Sequence, residues 1–87
     1  LSMSKSEKQK CRIKSCPRDY TYSEAKTLLR SLGYKEYSKG KTSGSRVKFY
    51  RECDKDLILL HKPHPGDVMS QGAVKDLREH LKNIGEL

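Results

Sequence analysis

Four hydrophobic residues in the second quarter of the chain recur at positions i, i+3, i+4 and i+7: Ala25, Leu28, Leu29 and Leu32. This spacing places them on one face of an amphipathic helix. Thr21 and Glu24 have the spacing of a capping box just before that face. Gly33 follows it and can supply the left-handed residue that ends a helix. The pattern therefore predicts a helix between Thr21 and Gly33.

Hydrophobic and polar residues alternate over residues 45–51, as in a strand with one buried face. A second apolar run covers residues 57–62, and Pro63 and Pro65 end it. Residues 52–55 between the two runs read as a turn. We therefore predict an antiparallel hairpin.

The hydrophobic pattern also favours one register for this hairpin, because a slip of one residue would turn every side chain to the opposite face. In the favoured register Val47 pairs with Leu60 and Phe49 with Ile58 on the buried face. The pairs predicted for the outer face are Arg46 with His61 and Lys48 with Leu59.

Weaker patterns complete the chain. Residues 34–38 read as a short strand, and residues 39–44 as a loop rich in Gly, Ser, Thr and Lys. A last helix begins at the N-cap Ser70 and ends at Gly85. Residues 4–15 predict a short basic helix that packs loosely, because it has few apolar positions.

These elements predict an α+β fold, in which two helices cover one face of three antiparallel strands as a two-layer sandwich, preceded by the short N-terminal basic helix. The other sheet face is left for solvent or a partner. The predicted core residues are Leu28, Leu29, Leu32, Val47, Phe49, Ile58, Leu60, Leu77, Leu81 and Ile84.

A length of 87 residues allows one small domain. The net charge is +8, and residues 1–18 hold six basic residues against one acidic residue. This excess favours a polyanion or an acidic protein as partner, although a merely soluble basic surface is the alternative. We treat residues 1–18 as a basic extension, in which Leu1 and Ser2 before Met3 are interpreted as a cloning remnant.

The three cysteines are odd in number, and together with the histidines they do not form the short-spaced pairs of a zinc site. The sequence contains no bilayer-spanning apolar stretch and no apolar signal segment. We therefore expect a cytoplasmic protein without metal, cofactor or membrane contact.

Residues 19–87 resemble the HicA-like toxins of bacterial and archaeal toxin–antitoxin pairs. The features that carry the resemblance are the helix ending in Leu32-Gly33-Tyr34, the glycine loop leading to Gly44-Ser45, the strand Val47-Lys48-Phe49, the turn Leu60-His61-Lys62-Pro63-His64-Pro65-Gly66, and the closing helix. The resemblance implies a fold like the double-stranded-RNA-binding domain (α-β-β-β-α), cleavage of mRNA, and a HicB-like antitoxin that covers the active face.

The family's catalytic histidine belongs to a Gly-Ser-His motif, and the matching triplet is Gly44-Ser45-Arg46. Arginine remains protonated, so Arg46 can hold a phosphate but cannot act as a general base. His61 and His64 are the candidates for proton transfer, with a strand-end or turn residue as the alternative for each. His80 is expected to be a partly packed helix residue.

The remaining site residues follow from the same face of the hairpin and the loop beside it. We expect RNA contacts from Lys39, Lys41, Ser45 and Lys48. We expect the antitoxin to bind the apolar side chains Tyr50, Leu57 and Leu59.

Two functions from different classes remain open. The first is a metal-independent endoribonuclease toxin. The alternative is a non-catalytic RNA-binding module, or a degenerate toxin that has lost cleavage through Arg46. The start of the last helix, residues 70–74, contains none of the lysines with which duplex RNA binders grip phosphates, so we favour the toxin.

Overall fold

The computed structural model describes residues 5–37, 46–63 and 66–87. In these ranges the elements follow the order α1 (Lys5–Lys14), α2 (Tyr22–Ser31), β1 (Lys35–Tyr37), β2 (Arg46–Arg51), β3 (Asp56–His61) and α3 (Gln71–Asn83). The strands form an antiparallel sheet in the order β1-β2-β3. The predicted α+β class and α-β-β-β-α order are confirmed, whereas the likeness to a double-stranded-RNA-binding domain stays a prediction. In the described ranges no helix has the length and apolar character needed to cross a bilayer.

Both ends of α2 follow from local sequence. The Thr21 hydroxyl accepts a hydrogen bond from the Glu24 backbone N–H at 3.1 Å, and the Thr21 N–H donates to the Glu24 carboxylate at 3.1 Å. This is the predicted capping box. At the other end Gly33 has φ +98°, and the Tyr34 N–H donates to the Leu29 carbonyl at 2.9 Å. Gly33 therefore ends the helix by turning the chain into a left-handed conformation.

The β2–β3 hairpin has the predicted register at every position. Arg46 pairs with His61, and Lys48 pairs with Leu59. A turn over residues 52–55 joins the strands. The buried face carries Val47, Phe49, Ile58 and Leu60, each at most 7% exposed. Because one face is buried, any slip of register would expose these four side chains to water.

β1 lies on the other side of β2. It pairs Lys35 with Tyr50 and Tyr37 with Lys48, so β2 is the central strand. The described strand begins at Lys35 and not at residue 34 as predicted, and residue 38 lies outside the described residues. The predicted loop over residues 39–44 lies outside the described residues.

One hydrophobic core joins the helices to the sheet. Eight of the ten predicted core residues are buried. Leu32 and Ile84, the other two, are half-buried and pack against the core. The predicted core list did not include seven further buried residues, of which Ala25 had already been placed on the apolar face of its helix: Ile13, Tyr20, Tyr22, Ala25, Tyr34, Met69 and Val74.

α1 packs more tightly than predicted. Ile13 is fully buried in the core, so the prediction of a loosely packed helix is wrong. Beside Ile13, the Arg12 guanidinium bonds to the Glu24 carboxylate at the start of α2 and to Asp19 at 3.1 Å. The buried side chain and this ion pair both hold α1 against α2. The division into residues 1–18 and 19–87 stays a prediction.

α3 begins as predicted. The Ser70 hydroxyl accepts a hydrogen bond from the Ala73 N–H at 3.2 Å, which satisfies one free donor of the first turn. The preceding segment is tied to the start of α2, because the Tyr22 N–H donates to the Asp67 carbonyl at 2.7 Å. α3 thus lies over the sheet with Leu77 and Leu81 buried.

Arg51 is a buried charge at the end of β2, with 7% of the residue exposed. It bonds to both oxygens of Asp54, at 3.0 and 2.6 Å. It also donates to the Leu32 carbonyl at 3.1 Å and to Glu86 at 2.6 Å. Glu86 in turn lies 3.6 Å from Lys10 of α1. Hydrogen bonds to Asp54 are the main reason that the pKa of Arg51 is raised above its ordinary value, so the charge is permanent.

Candidate active site

The outer face of the hairpin consists of alternate residues of β2 and β3. Pleating turns the side chains of Arg46 and Lys48 in β2, and of Leu57, Leu59 and His61 in β3, away from the core. All five are exposed. The strand alternation that buries Val47 and Leu60 is therefore also what presents these residues to solvent.

Arg46 and His61 are direct cross-strand partners at one end of this face. Such partners have Cβ atoms about 4.5–5.5 Å apart, within reach of a shared ligand. An arginine can bind two phosphate oxygens at once, and an imidazole can donate or accept a proton. The cross-strand pairing of Arg46 with His61 is as the sequence predicted, whereas the catalytic roles of the two residues stay predictions.

Toward the other end of the face, large apolar side chains stand around Lys48. Leu57 is 48% exposed and Leu59 is 51% exposed. Tyr50 is half-buried. The Tyr37 ring of β1 packs edge-on against it, with 6.3 Å between ring centres. Tyr37 is itself 51% exposed and was missed from sequence, since its three-residue strand has no clear alternation. We call Tyr37, Tyr50, Leu57 and Leu59 the apolar patch.

Several predicted site residues lie outside the described residues, and their roles stay predictions. These are the candidate base His64 and the predicted RNA contacts Lys39, Lys41 and Ser45. Of the predicted RNA contacts, Lys48 is the one that the structure describes. It lies on the outer face beside Leu59.

A groove of about 250 Å³ runs between β3 and α3. Leu57, Leu59 and His61 line it from the strand, and Asp76 and His80 line it from the helix. His80, expected from the sequence to be a partly packed helix residue, is half-buried and lies in the lining of this groove.

His80 is held by a second side chain. Its Nε2 atom lies 2.8 Å from Asp56 Oδ2, and because a carboxylate only accepts hydrogen bonds, the ring is the donor. The Tyr34 hydroxyl donates to the same Asp56 oxygen. Burial, followed by this contact with Asp56, raises the pKa of Tyr34, so the phenol keeps its proton. No local sequence signal predicts this cluster, because its members belong to three separate parts of the chain.

The described residues also bear on metal binding. In residues 5–37, 46–63 and 66–87 no three His, Cys, Asp or Glu side chains come together in a way that could hold a metal ion. Cys11, Cys16 and Cys53 are free thiols.

Comparison with known proteins assigns the chain to a family. No curated protein and no solved structure matches it significantly. Residues 22–85 match the family model described as HicA toxin of bacterial toxin-antitoxin, which covers more than half of the chain and includes α2, the sheet and α3. Proteins of this family are the toxins of toxin–antitoxin pairs and are generally ribonucleases that cleave mRNA. The chain therefore belongs to the HicA toxin family.

Proposed function

We propose that this protein is the toxin of a toxin–antitoxin pair that binds mRNA in the cytoplasm and cleaves it without a metal ion. The observation that carries the proposal is the outer sheet face of a HicA family member, where Arg46 and Lys48 lie beside His61. These groups provide positive charge and proton transfer on one exposed surface.

The proposed chemistry uses the RNA's own 2′-hydroxyl. A base removes the 2′-OH proton, the 2′ oxygen attacks the phosphorus, and the bond from phosphorus to the 5′ oxygen breaks as an acid protonates that oxygen. The products are a 2′,3′-cyclic phosphate and a free 5′-hydroxyl. Proton transfer falls to His61 or His64, while Arg46 and Lys48 stabilise the charge that develops on the phosphate oxygens.

The first test is cleavage of a long mRNA in EDTA. We expect the parent protein to produce 2′,3′-cyclic phosphate ends and to leave 2′-O-methyl RNA of the same sequence intact. His61→Ala or His64→Ala should lower the rate by about 10²–10⁴, the usual contribution of a general acid or base. Arg46→Ala should lower the rate as well.

Arg18→Ala is the matched control for Arg46→Ala, because Arg18 is an exposed arginine outside the sheet. Circular dichroism should show that every variant is folded. Unchanged cleavage in both histidine variants would refute their assignment. A folded parent that binds RNA without cutting it would instead support the alternative, a non-catalytic RNA-binding module or degenerate toxin, which the replacement of the family histidine by Arg46 favours.

We also propose that a HicB-like antitoxin neutralises the protein by covering the apolar patch. Tyr37, Leu57 and Leu59 are each about half exposed, and several large apolar side chains exposed on one face of a small protein favour an interface there. Lys48 stands between Tyr37 and Leu59 in the sheet register, and Arg46 follows on the same strand, so a partner surface with acidic groups would complement this face. The antitoxin would then block the RNA-binding groups directly.

Leu59→Asp tests this interface, with Val68→Asp as its control. Val68 is 55% exposed but lies outside the sheet strands. Leu59→Asp should weaken antitoxin binding by at least tenfold in a titration, and Val68→Asp should leave it unchanged. Hydrogen exchange of the complex should show protection of β2 and β3. Protection confined to the helices would contradict the proposal.

A further inference from the structure

β3 is an edge strand whose outer side has no partner strand among the described residues. The sheet order β1-β2-β3 places β2 on one side of β3, and no described strand lies on the other side. In an antiparallel pair, every second residue directs its backbone N–H and C=O groups away from the neighbouring strand. Along the six residues of β3 these groups can therefore bond to an added strand.

The sequence of β3 lacks the features that usually prevent such pairing. Proteins protect their edge strands with lysine, proline, a bulge or a very short length. Residues 57–60 are instead four consecutive apolar residues, and the register of β3 with β2 is continuous, without a bulge. An unprotected apolar edge of this length favours pairing with another chain.

The groove between β3 and α3 lies against this edge. Residues 57–61 all line it, although they point alternately to the two faces of the sheet, and a cavity can reach both sets only from the side of the strand. The helix wall consists of residues that recur at i, i+3, i+4 and i+7 on one face of α3: Ala73, Asp76, Leu77 and His80. The groove thus follows about 13 Å of the strand, the span of roughly five extended residues.

Resting on the proposed function, we propose that the antitoxin inserts an extended segment into this groove as an additional strand of the sheet, beside β3. The backbone of the segment bonds to the outer edge of β3 and supplies affinity, while its side chains point alternately to the outer face and to α3 and supply specificity. Apolar side chains fit both directions. Leu57 and Leu59 are exposed on the outer face, and Ala73 is half-buried in the helix wall.

The charges and the position of the groove favour a protein over RNA, and a different chain over a second copy. The described residues that line the groove include no lysine or arginine, and Asp76 is acidic, so phosphate groups are not attracted into it. Two copies joined through β3 would bring together two chains of net charge +8, which opposes self-association. Leu57 and Leu59 belong both to the groove and to the apolar patch, so the added strand is continuous with the surface proposed for the antitoxin.

The test places a bulky side chain in the groove without changing β3. Asp76 and Lys75 are neighbouring exposed residues of α3, and of the two Asp76 lines the groove. Asp76→Trp and Lys75→Trp therefore form a matched pair, and circular dichroism should show that both are folded. The probe is the purified product of the HicB-like reading frame that the proposed function expects beside this one. In a titration Asp76→Trp should bind this probe about tenfold or more weakly and cleave mRNA as the parent does, while Lys75→Trp should keep parental binding.

Amide exchange reports the added strand directly. Residue-resolved NMR of the complex should show newly slowed exchange at every second amide of residues 56–61, the amides that point away from β2. This pattern together with the weaker binding of Asp76→Trp supports the inference. Parental binding by Asp76→Trp, or the absence of the alternating pattern, overturns the inference and leaves the proposed function intact as long as Leu59→Asp weakens binding.

Other occupants of the groove give different results. A free protein that sediments as a dimer, and that Asp76→Trp converts to a monomer, assigns the groove to a second copy of the chain. Weaker mRNA binding by Asp76→Trp assigns it to RNA, and either result overturns the inference. A parent protein that neither cleaves mRNA nor binds the probe refutes the proposed function itself.

Discussion

Strand β2 contains two arginines, and the same substitution at each should have a different effect, on stability at one and on activity at the other. Arg46 points to the outer face and is exposed, whereas Arg51 is buried behind the opposite face. Arg51→Met keeps most of the side-chain volume but removes the charge that Asp54, Glu86 and the Leu32 carbonyl all contact. We expect this variant to lose stability and Arg46→Met to lose activity.

The magnitude follows from the contacts of Arg51. Removal of one partner from a buried ion pair costs about 3–5 kcal/mol. Asp54 is 40% exposed and Glu86 is 25% exposed, so water can hydrate both carboxylates once the arginine is gone. We therefore place the loss at the low end, about 3 kcal/mol. In a domain of this size each kcal/mol lowers the melting temperature by about 4–8 °C, which gives a fall of roughly 12–24 °C.

The assay is urea unfolding and thermal melting by circular dichroism at pH 7, with mRNA cleavage measured well below the lower melting temperature. Arg46→Met should melt with the parent, since substitutions at exposed sites change stability little. Arg51→Met should keep cleavage while it remains folded. A melting temperature of Arg51→Met within 3 °C of the parent, or an equal loss in both variants, would refute the reasoning.

Two further predictions concern the helix ends. The hydrogen bond from Arg12 is the main reason that the pKa of Glu24 lies below its ordinary value of 4.5. The ionised Glu24 therefore stabilises the folded state above pH 4.5, and this contribution is lost as the pH falls through the lowered pKa. Glu24→Gln should accordingly be less stable than the parent at pH 7, and urea unfolding should show the difference shrinking in acid. Gly33→Ala should destabilise the protein by about 1 kcal/mol, because Gly33 has φ +98°. Gly72→Ala should stabilise the protein by roughly 0.5 kcal/mol, since Gly72 is helical with nothing within 4 Å of the added carbon. Equal shifts of the two variants in thermal melts would contradict this.

The hairpin could be predicted from sequence because its information is local. Side chains of a strand point alternately to its two faces, so the apolar residues mark the buried face. With a four-residue turn, one register buries Val47, Phe49, Ile58 and Leu60 together. The position of Arg46 opposite His61 followed from that register alone, and the structure has it. The same holds for α2, because the capping box and Gly33, which mark its two ends, lie next to the helix in the sequence.

The rest depends on how the layers pack, which no local pattern records. His80 meets Asp56 only because α3 crosses the sheet beside β3, and Tyr34 reaches the same carboxylate from the end of α2. Ile13 is buried where α1 packs into the core, next to the ion pair of Arg12 with Glu24, residues twelve positions apart. The buried tyrosines were missed for a related reason, since tyrosine is found both in cores and on surfaces.

The position of Glu86 sets an order of events during synthesis. Arg51 in β2 and Lys10 in α1 both meet this carboxylate, and Leu77 and Leu81 of α3 fill the core beneath the sheet. A nascent chain that ends after the hairpin has Asp54 but not Glu86 as a partner for Arg51, and its apolar sheet face is uncovered. The contacts of α3 and Glu86 with the sheet can therefore form only after residues 71–86 have left the exit tunnel of the ribosome.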